Sequence, residues 1–406
     1  MKVYITGMGA LTSLGLDTHS TFEGLLENRS GIQHFPEWEK YNGLHSHLGA
    51  PVAPYDIMKV PRSARRSMSR MSEMATLATM QALGQADLTD ESCHSERTLI
   101  IMGSTSGSPH TLEAYFKQLF ERGGPQGQLS TSFFKVMNHS VPANVASAIG
   151  YRGALLSPSS ACSTSSQAMI LGWELLQTGL YDRVIAGGAD ELHYMSASIF
   201  DIVLAASRNF NNRPQQASRP FDKDRDGLVV SEGAGVLVME TEACIAKRGG
   251  LPLAEVKGGA YFCDGSHMSQ SSGEAMQKTM ELALARAGLK TSDIDYINAH
   301  ATGTLQGDAE EAMTIERLFG RETPVSSLKG NLGHSLAACG AVEAIASVQM
   351  IKNEVIVPTR NLDNPDAVCL GLDLVREKRA KKLSHVLSNN FAFGGMNTSL
   401  VISALT

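Results

Sequence analysis

Two helical segments, one in each half of the chain, constrain the fold more than anything else in the sequence. Residues 336–351 are almost wholly apolar, and so is the run 168–176 through Trp173. A helix apolar on every side cannot lie on a surface, so both must be enclosed by other elements. Each follows a short apolar strand: Leu155 and Leu156 lead through small residues into the first helix, and 324–328 lead through Lys329-Gly330-Asn331-Leu332-Gly333 to His334 before the second. The second half therefore repeats the plan of the first, with a break at Arg248-Gly249-Gly250-Leu251-Pro252 that divides the chain into 1–249 and 250–406. Internal sequence similarity is faint; the expectation rests on pattern. If a pseudo-twofold axis relates the halves, the two buried helices pack together and their N-terminal ends converge.

The rest of the chain alternates in the manner of an α/β protein. Strands are predicted at 3–6, 98–102, 183–188 and 294–299, and helices at 18–27, 72–83, 111–121 and within 133–149. Residues 34–55, rich in Pro, Gly and His, and the polar stretch 207–227 read as loops. At 406 residues the chain suits two packed domains or one duplicated unit, and 43% hydrophobic with 19% charged residues describes an ordinary globular enzyme. A net charge of −6 argues against general nucleic-acid binding. No apolar run reaches transmembrane length, and the chain enters directly into Lys2-Val3-Tyr4-Ile5, which points to a cytoplasmic protein.

Several chemistries are disfavoured. The cysteines, Cys93, Cys162, Cys244, Cys263, Cys339 and Cys369, include no C-x-x-C pair, so neither a disulfide framework nor a metal site is expected. Gly7-Met8-Gly9 follows a strand, but Thr12 stands where a dinucleotide fingerprint needs glycine, and no Gly-Lys pair exists for a P-loop.

What remains is Cys162, set in Ser159-Ser160-Ala161-Cys162-Ser163-Thr164 at the mouth of the first buried helix. Free helix N–H groups and the helix dipole favour a thiolate there, which predicts a lowered pKa; a packed core cysteine is the plain alternative. A thiolate attacks acyl carbonyls. His300 ends a strand and His334 precedes the second buried helix, so the pseudo-twofold arrangement lets both share a pocket with Cys162. Two imidazoles there could donate hydrogen bonds to a thioester oxygen carrying enolate charge, each worth about 3–4 kcal/mol; either histidine alone could equally be structural.

The motifs around them occur in a fixed order: Ser160-Ala161-Cys162, Asn298-Ala299-His300-Ala301-Thr302-Gly303-Thr304, Lys329-Gly330-Asn331-Leu332-Gly333-His334 and Asn389 to Asn397 through Phe391-Ala392-Phe393-Gly394-Gly395. From Ile5-Thr6-Gly7-Met8-Gly9 to its end the chain resembles the β-ketoacyl-acyl-carrier-protein synthases of type I/II, condensing enzymes of the thiolase superfamily. The resemblance implies a thiolase fold, a duplicated five-layered αβαβα arrangement. It implies Cys162 as acyl acceptor, His300 and His334 as the pair that promotes malonyl decarboxylation, and Lys329 as organiser of the charge network with Glu343. Asp308 and Glu311 match supporting acids, Thr302 and Thr304 the contacts of a phosphopantetheine arm, and Phe393 a gating residue whose N–H joins that of Cys162 in an oxyanion hole, with Phe391 its neighbour.

The same resemblance implies acyl carrier protein as partner, acyl and malonyl thioesters as substrates, and no cofactor or metal of the enzyme's own. The basic residues Lys59, Arg62, Arg65, Arg66 and Arg70 form a plausible patch for an acidic carrier; Arg62, Arg65, Arg66 and Arg208 are the docking candidates. A second cluster, Arg376, Lys378, Arg379, Lys381 and Lys382, reads as exposed loop. Two departures bear on substrate: Met396 stands where threonine is usual, and Ser106 replaces a bulkier residue in the turn lining the acyl pocket, which admits a polyene or polyketide-like chain as well as a fatty one. A homodimer is implied, with a heterodimer of active and silent subunits, or a thiolase, as alternatives.

Overall fold

The computed structural model describes residues 1–88, 95–263, 265, 268–270 and 272–405, so Cys93 lies outside the described residues. Eleven strands form the main sheet: β1 Val3–Leu11, β2 Thr98–Gly103, β3 Ala154–Leu156, β4 Arg183–Asp190, β5 Gly233–Thr241, β6 Ala254–Phe262, β7 Tyr296–Asn298, β8 Pro324–Ser326, β9 Asp373–Leu374, β10 His385–Ala392 and β11 Met396–Ser403. Their spatial order is β9-β8-β7-β10-β11-β6-β1-β5-β4-β2-β3.

That order contains the duplication. Outward from the central pair, the first half runs β1, β5, β4, β2, β3, and the second, setting aside the edge strand β9, runs β6, β11, β10, β7, β8. Strand directions repeat as well: two antiparallel pairings followed by two parallel ones on each side. The halves join antiparallel through only Tyr4↔Glu255 and Ile5↔Ala254, as a twofold relation requires.

Five of the six longer helices among the described residues are α1 Arg70–Gln85, α2 Thr164–Gln177, α3 Gly273–Ala287, α4 Leu305–Phe319 and α5 Cys339–Asn353, the sixth being Pro109–Arg122. Helices α2 and α5 pack on one another and touch strands of both halves, α2 against β4, β2, β6 and β11, α5 against β5, β1, β10 and β11. Outside them, α1 covers β1, β5 and β4, while α3 covers β6 and β11. The strand alternation explains the sandwich: Leu99 and Ile101 join the cluster around Met169 and Ile345, whereas Ile100 and Met102 join the cluster under α1. Both faces are apolar because both are covered.

The glycines of β1 follow from the same packing. A Cβ on Gly7 would stand 2.0 Å from the Ala82 carbonyl oxygen, and one on Gly9 1.9 Å from that of Ala78. Gly7-Met8-Gly9 is therefore a close approach of α1 to the strand, which continues to Leu11 beyond the predicted end.

The repeat reaches into the turns. Short 3-10 segments, Ala161–Ser163 and Leu336–Ala338, lead straight into α2 and α5, and each begins at a non-glycine residue with positive φ, Ala161 at 50° and Leu336 at 49°. Such backbone costs about 1–3 kcal/mol and persists only where the surroundings impose it. Among the described residues no helix is long and apolar enough to cross a membrane.

Candidate active site

The strained turn before α2 sets Cys162 one residue after Ala161, and the thiol is 6% exposed. His300 arrives from the other half, two residues beyond β7, by a loop that would not hold itself. Glu311 and Asp308, three residues apart and so on one face of α4, hold it. Glu311 accepts the N–H groups of His300 and Ala301 at 2.8 and 2.7 Å. Asp308 accepts those of Thr302, Gly303 and Phe221 at 3.0, 3.1 and 2.9 Å. Gly303 has φ 89°, which only glycine adopts freely. Burial pushes both acids up, Glu311 to about 8 and Asp308 to about 6, against the lowering effect of these amide donors.

His334 is placed by its backbone. Its N–H donates to the Val229 carbonyl at 2.8 Å and its carbonyl accepts from Ser231 at 2.9 Å, a bridge that leaves the ring to point elsewhere. The rings of His300 and His334 meet edge to face at 5.4 Å. Cys162, His300 and His334 converge: one ligand-capable atom of each lies within 4.8 Å of the others. Buried His300 Nδ1 and both ring nitrogens of His334 have no hydrogen-bond partner among the described residues.

Beneath them Lys329, 1% exposed, is paired through Nζ with Glu343 Oε1, and Glu343 also accepts from Asn390 Nδ2 at 2.7 Å. Burial, the largest single influence, opposes the Lys329 charge, but the adjacent Glu343 together with Cys339 and Glu311 holds its pKa above the ordinary lysine value. Burial first, and the Lys329 charge second, hold both imidazoles well below 6.5. They are neutral. The sign for stability follows: below about 6.5 the unfolded chain takes up protons that the folded one refuses, so this pair's contribution is whole above that value and falls as pH drops through it. Urea unfolding at about pH 7.5 and about pH 5.5 should show the lower stability at the lower pH, and the NMR shifts of His300 and His334 in the folded protein should not titrate between them.

For Cys162 the sequence expectation is overturned. Burial pushes its thiol up to about 12, and the nearby Lys329 lowers it only in part. The helix begins at Thr164, beyond Cys162, so the dipole does not compensate for the lost water. The resting sulfur carries its proton.

The trio opens on a cavity of about 60 Å3 whose wall also includes Thr302, Thr304, Phe391, Phe393 and Phe200. Phe200 and Phe393 face each other with ring centroids 5.9 Å apart, and Phe393 is 37% exposed, so it stands at the rim. It is followed by Gly394 and Gly395, φ 83° and 70°, in the loop between β10 and β11. Phe391 lies 6.3 Å from the His300 ring.

Residues 1–243 match the beta-ketoacyl synthase N-terminal domain, and residues 253–363 match the C-terminal domain of the same family. The chain belongs to the β-ketoacyl synthase family. It is a condensing enzyme of acyltransferase type with the thiolase fold. It is 35% identical over 405 residues to the 3-oxoacyl-[acyl-carrier-protein] synthase 1 of Haemophilus influenzae, covering 98% of each chain. Among solved structures it superposes on a β-ketoacyl synthase from Burkholderia phymatum with TM-score 0.96 at 38% identity, covering all of both chains. It superposes on the ishigamide ketosynthase/chain length factor with TM-score 0.92 at 27% identity, covering 100% of this chain and 99% of that one.

The remaining sequence candidates in this synthase fall less neatly. Ser106 lies in its turn outside the wall of the cavity, partly exposed. Arg208 is not a free cation at the surface: its Nε donates to the buried Asp201 carboxylate at 2.7 Å, which neutralises it. Arg62 and Arg66 are exposed on the short helix Arg62–Arg65 and its cap, while Arg65 is half-buried with Nη1 3.0 Å from Met58 Sδ. The second basic cluster is partly stitched down: Arg379 pairs with Asp373, Arg376 donates to the Leu362 and Asp363 carbonyls, and Lys381 to that of Asp295.

Cys339 is the residue sequence reasoning passed over. Its Sγ donates to the Cys162 carbonyl at 3.0 Å, and burial pushes its thiol well above the usual range. It steadies the nucleophile's strained turn. The signal was there, because Cys339 opens the second buried helix as Thr164 opens the first.

Proposed function

We propose that this chain is a 3-oxoacyl-[acyl-carrier-protein] synthase that joins an acyl thioester to malonyl carrier by decarboxylative Claisen condensation. The reading is carried by one observation: a thiol from one half and two unpartnered neutral imidazoles from the other line one cavity. The Cys162 proton passes to an imidazole as sulfur attacks the acyl thioester, and the carrier leaves as its thiol. Malonyl carrier then binds through Thr302 and Thr304. Loss of carbon dioxide leaves an enolate whose oxygen accepts hydrogen bonds from His300 and His334. Its carbon attacks the acyl-Cys162 carbonyl, whose oxyanion is held by the N–H groups of Cys162 and Phe393. Collapse expels the Cys162 thiolate, which takes up one proton from solvent, and releases a 3-oxoacyl product two carbons longer. The carbanion's electron pair is left on the α-carbon by the C–C bond that breaks as carbon dioxide departs, so the chemistry calls for no cofactor. Phe393 swings on Gly394 and Gly395 to admit each substrate.

Incubation with acyl and malonyl carriers tests this: equal yields of carbon dioxide and 3-oxoacyl carrier are expected, and carbon dioxide release without a lengthened acyl chain would sink the condensation. A thiolase needs a second thiol at the reacting carbon, and Cys162 is the one thiol among the described residues lining the cavity. Because the cysteine is present, we place this chain as an active subunit, in a cytoplasmic homodimer or beside a silent paralogue. We place the division between halves at 249/250, supported by the repeat of strand order on either side.

The carrier docks on Arg62 and Arg66. Reversing both to Glu should raise KM for the carrier roughly tenfold, since each exposed charge contributes up to about 1 kcal/mol. The defect should shrink with added salt, and KM for a short synthetic thioester without the protein should stay unchanged.

A further inference from the structure

The three groups assigned to condensation are also a set of ligands for a soft divalent metal. We propose that Cys162, His300 and His334 form a tetrahedral zinc site with one open position, and that an occupied site excludes acylation.

Spacing along the chain concealed it, because the donors are 138 and 34 residues apart in sequence (300 − 162, 334 − 300) and only the twofold arrangement gathers them. One sulfur and two imidazole nitrogens are donors zinc accepts in catalytic sites that keep a fourth position for water. Their donor atoms lie within 4.8 Å of one another. Tetrahedral ligation with bonds near 2.0–2.3 Å brings ligand atoms to roughly 3.3–3.7 Å, so side-chain rotations of about 1 Å suffice. The imidazole nitrogens are available, since His300 Nδ1 and both nitrogens of His334 are buried without partners. Around them Glu311 and the Val229–Ser231 segment fix both histidine backbones, so the site is held from behind by groups that do not compete for the metal. On binding, Cys162 loses its proton to buffer and sulfur takes the metal in its place; no oxidant or reductant is involved. The sulfur lone pair that would attack a thioester is then committed. This consequence for turnover rests on the acyl-transfer reading above, whereas binding itself does not.

A second cluster, His34, Glu39 and His47, also has donor atoms within 4.8 Å of one another, but it is partly exposed, and His34 already pairs with Glu39 at 3.2 Å. It supplies the control.

Cobalt(II) is the probe. The apo protein titrated with cobalt should develop a thiolate-to-metal charge-transfer band at one equivalent. Cys162→Ala should abolish the band, His300→Ala or His334→Ala should weaken binding at least tenfold, and His34→Ala/His47→Ala should leave the band intact. Zinc should block iodoacetamide labelling of Cys162, and a chelator should restore it. A band that survives Cys162→Ala, binding lost only with the His34→Ala/His47→Ala pair, or labelling unaffected by zinc would overturn the proposal. Acylation by an acyl carrier in chelator is measured alongside. Its failure would count against the synthase reading and leave the metal result standing.

Discussion

Cys162→Ala is expected to form no acyl adduct with acyl carrier, by mass spectrometry of the intact protein, yet to keep releasing carbon dioxide from malonyl carrier. The two half-reactions separate because they use different atoms. Acyl transfer needs the sulfur, and no other thiol lines the cavity among the described residues. Decarboxylation needs hydrogen-bond donors at the thioester oxygen, and the imidazoles keep their neutral state and their backbone anchors whether or not sulfur is present. His300→Ala and His334→Ala should show the converse: an acyl adduct still forms, while carbon dioxide release falls about 10²–10³-fold, the usual loss for one oxyanion donor. A Cys162→Ala protein that still acquires acyl mass would remove the assigned nucleophile. Decarboxylation at the parent rate in both histidine variants would remove the assigned donors.

The split between legible and illegible features follows the range of the forces involved. The two enclosed helices, the strand-turn-helix repeat and the order of the Cys and His motifs are local patterns, and the fold placed them as read. Strands β5, β6, β10 and β11 escaped placement because a strand covered on both faces loses the alternation that marks it. The Cys162 thiol is the instructive failure. Helix position is written in sequence, but desolvation is set by what other segments cover, and here it is the larger influence. Asp308 and Glu311 were recognisable as supporting acids, yet their work as clamps on four consecutive backbone N–H groups, 300 to 303, is visible only once α4 and the loop are docked. Arg208 shows the same limit from the other side, since nothing in its neighbourhood announces that Asp201 takes its charge.

Lys329→Met is expected to lower stability by about 3–5 kcal/mol, measured by urea unfolding, because it strands the Glu343 carboxylate in the interior. The pair is 1% and 2% exposed, and only the neutral amides of Asn390 and Asn298 remain among the described residues to hydrogen-bond that carboxylate. Glu343→Gln should be damaging for the mirror reason, a buried ammonium without its counter-ion. The double change Lys329→Met/Glu343→Leu removes both charges and should be less destabilised than either single variant, since an apolar pair of similar volume often replaces a buried ion pair without loss. Stability and catalysis then part company. The Lys329 charge is one of the influences that keep His300 and His334 neutral, so the double variant, though folded, should show imidazole titration at higher pH by NMR. Its carbon dioxide release should fall as pH drops through that new range, where the parent is flat. If the single variants unfold within about 0.5 kcal/mol of the parent, the pair is not a buried ionic contact and the neutral state of the histidines must come from burial alone.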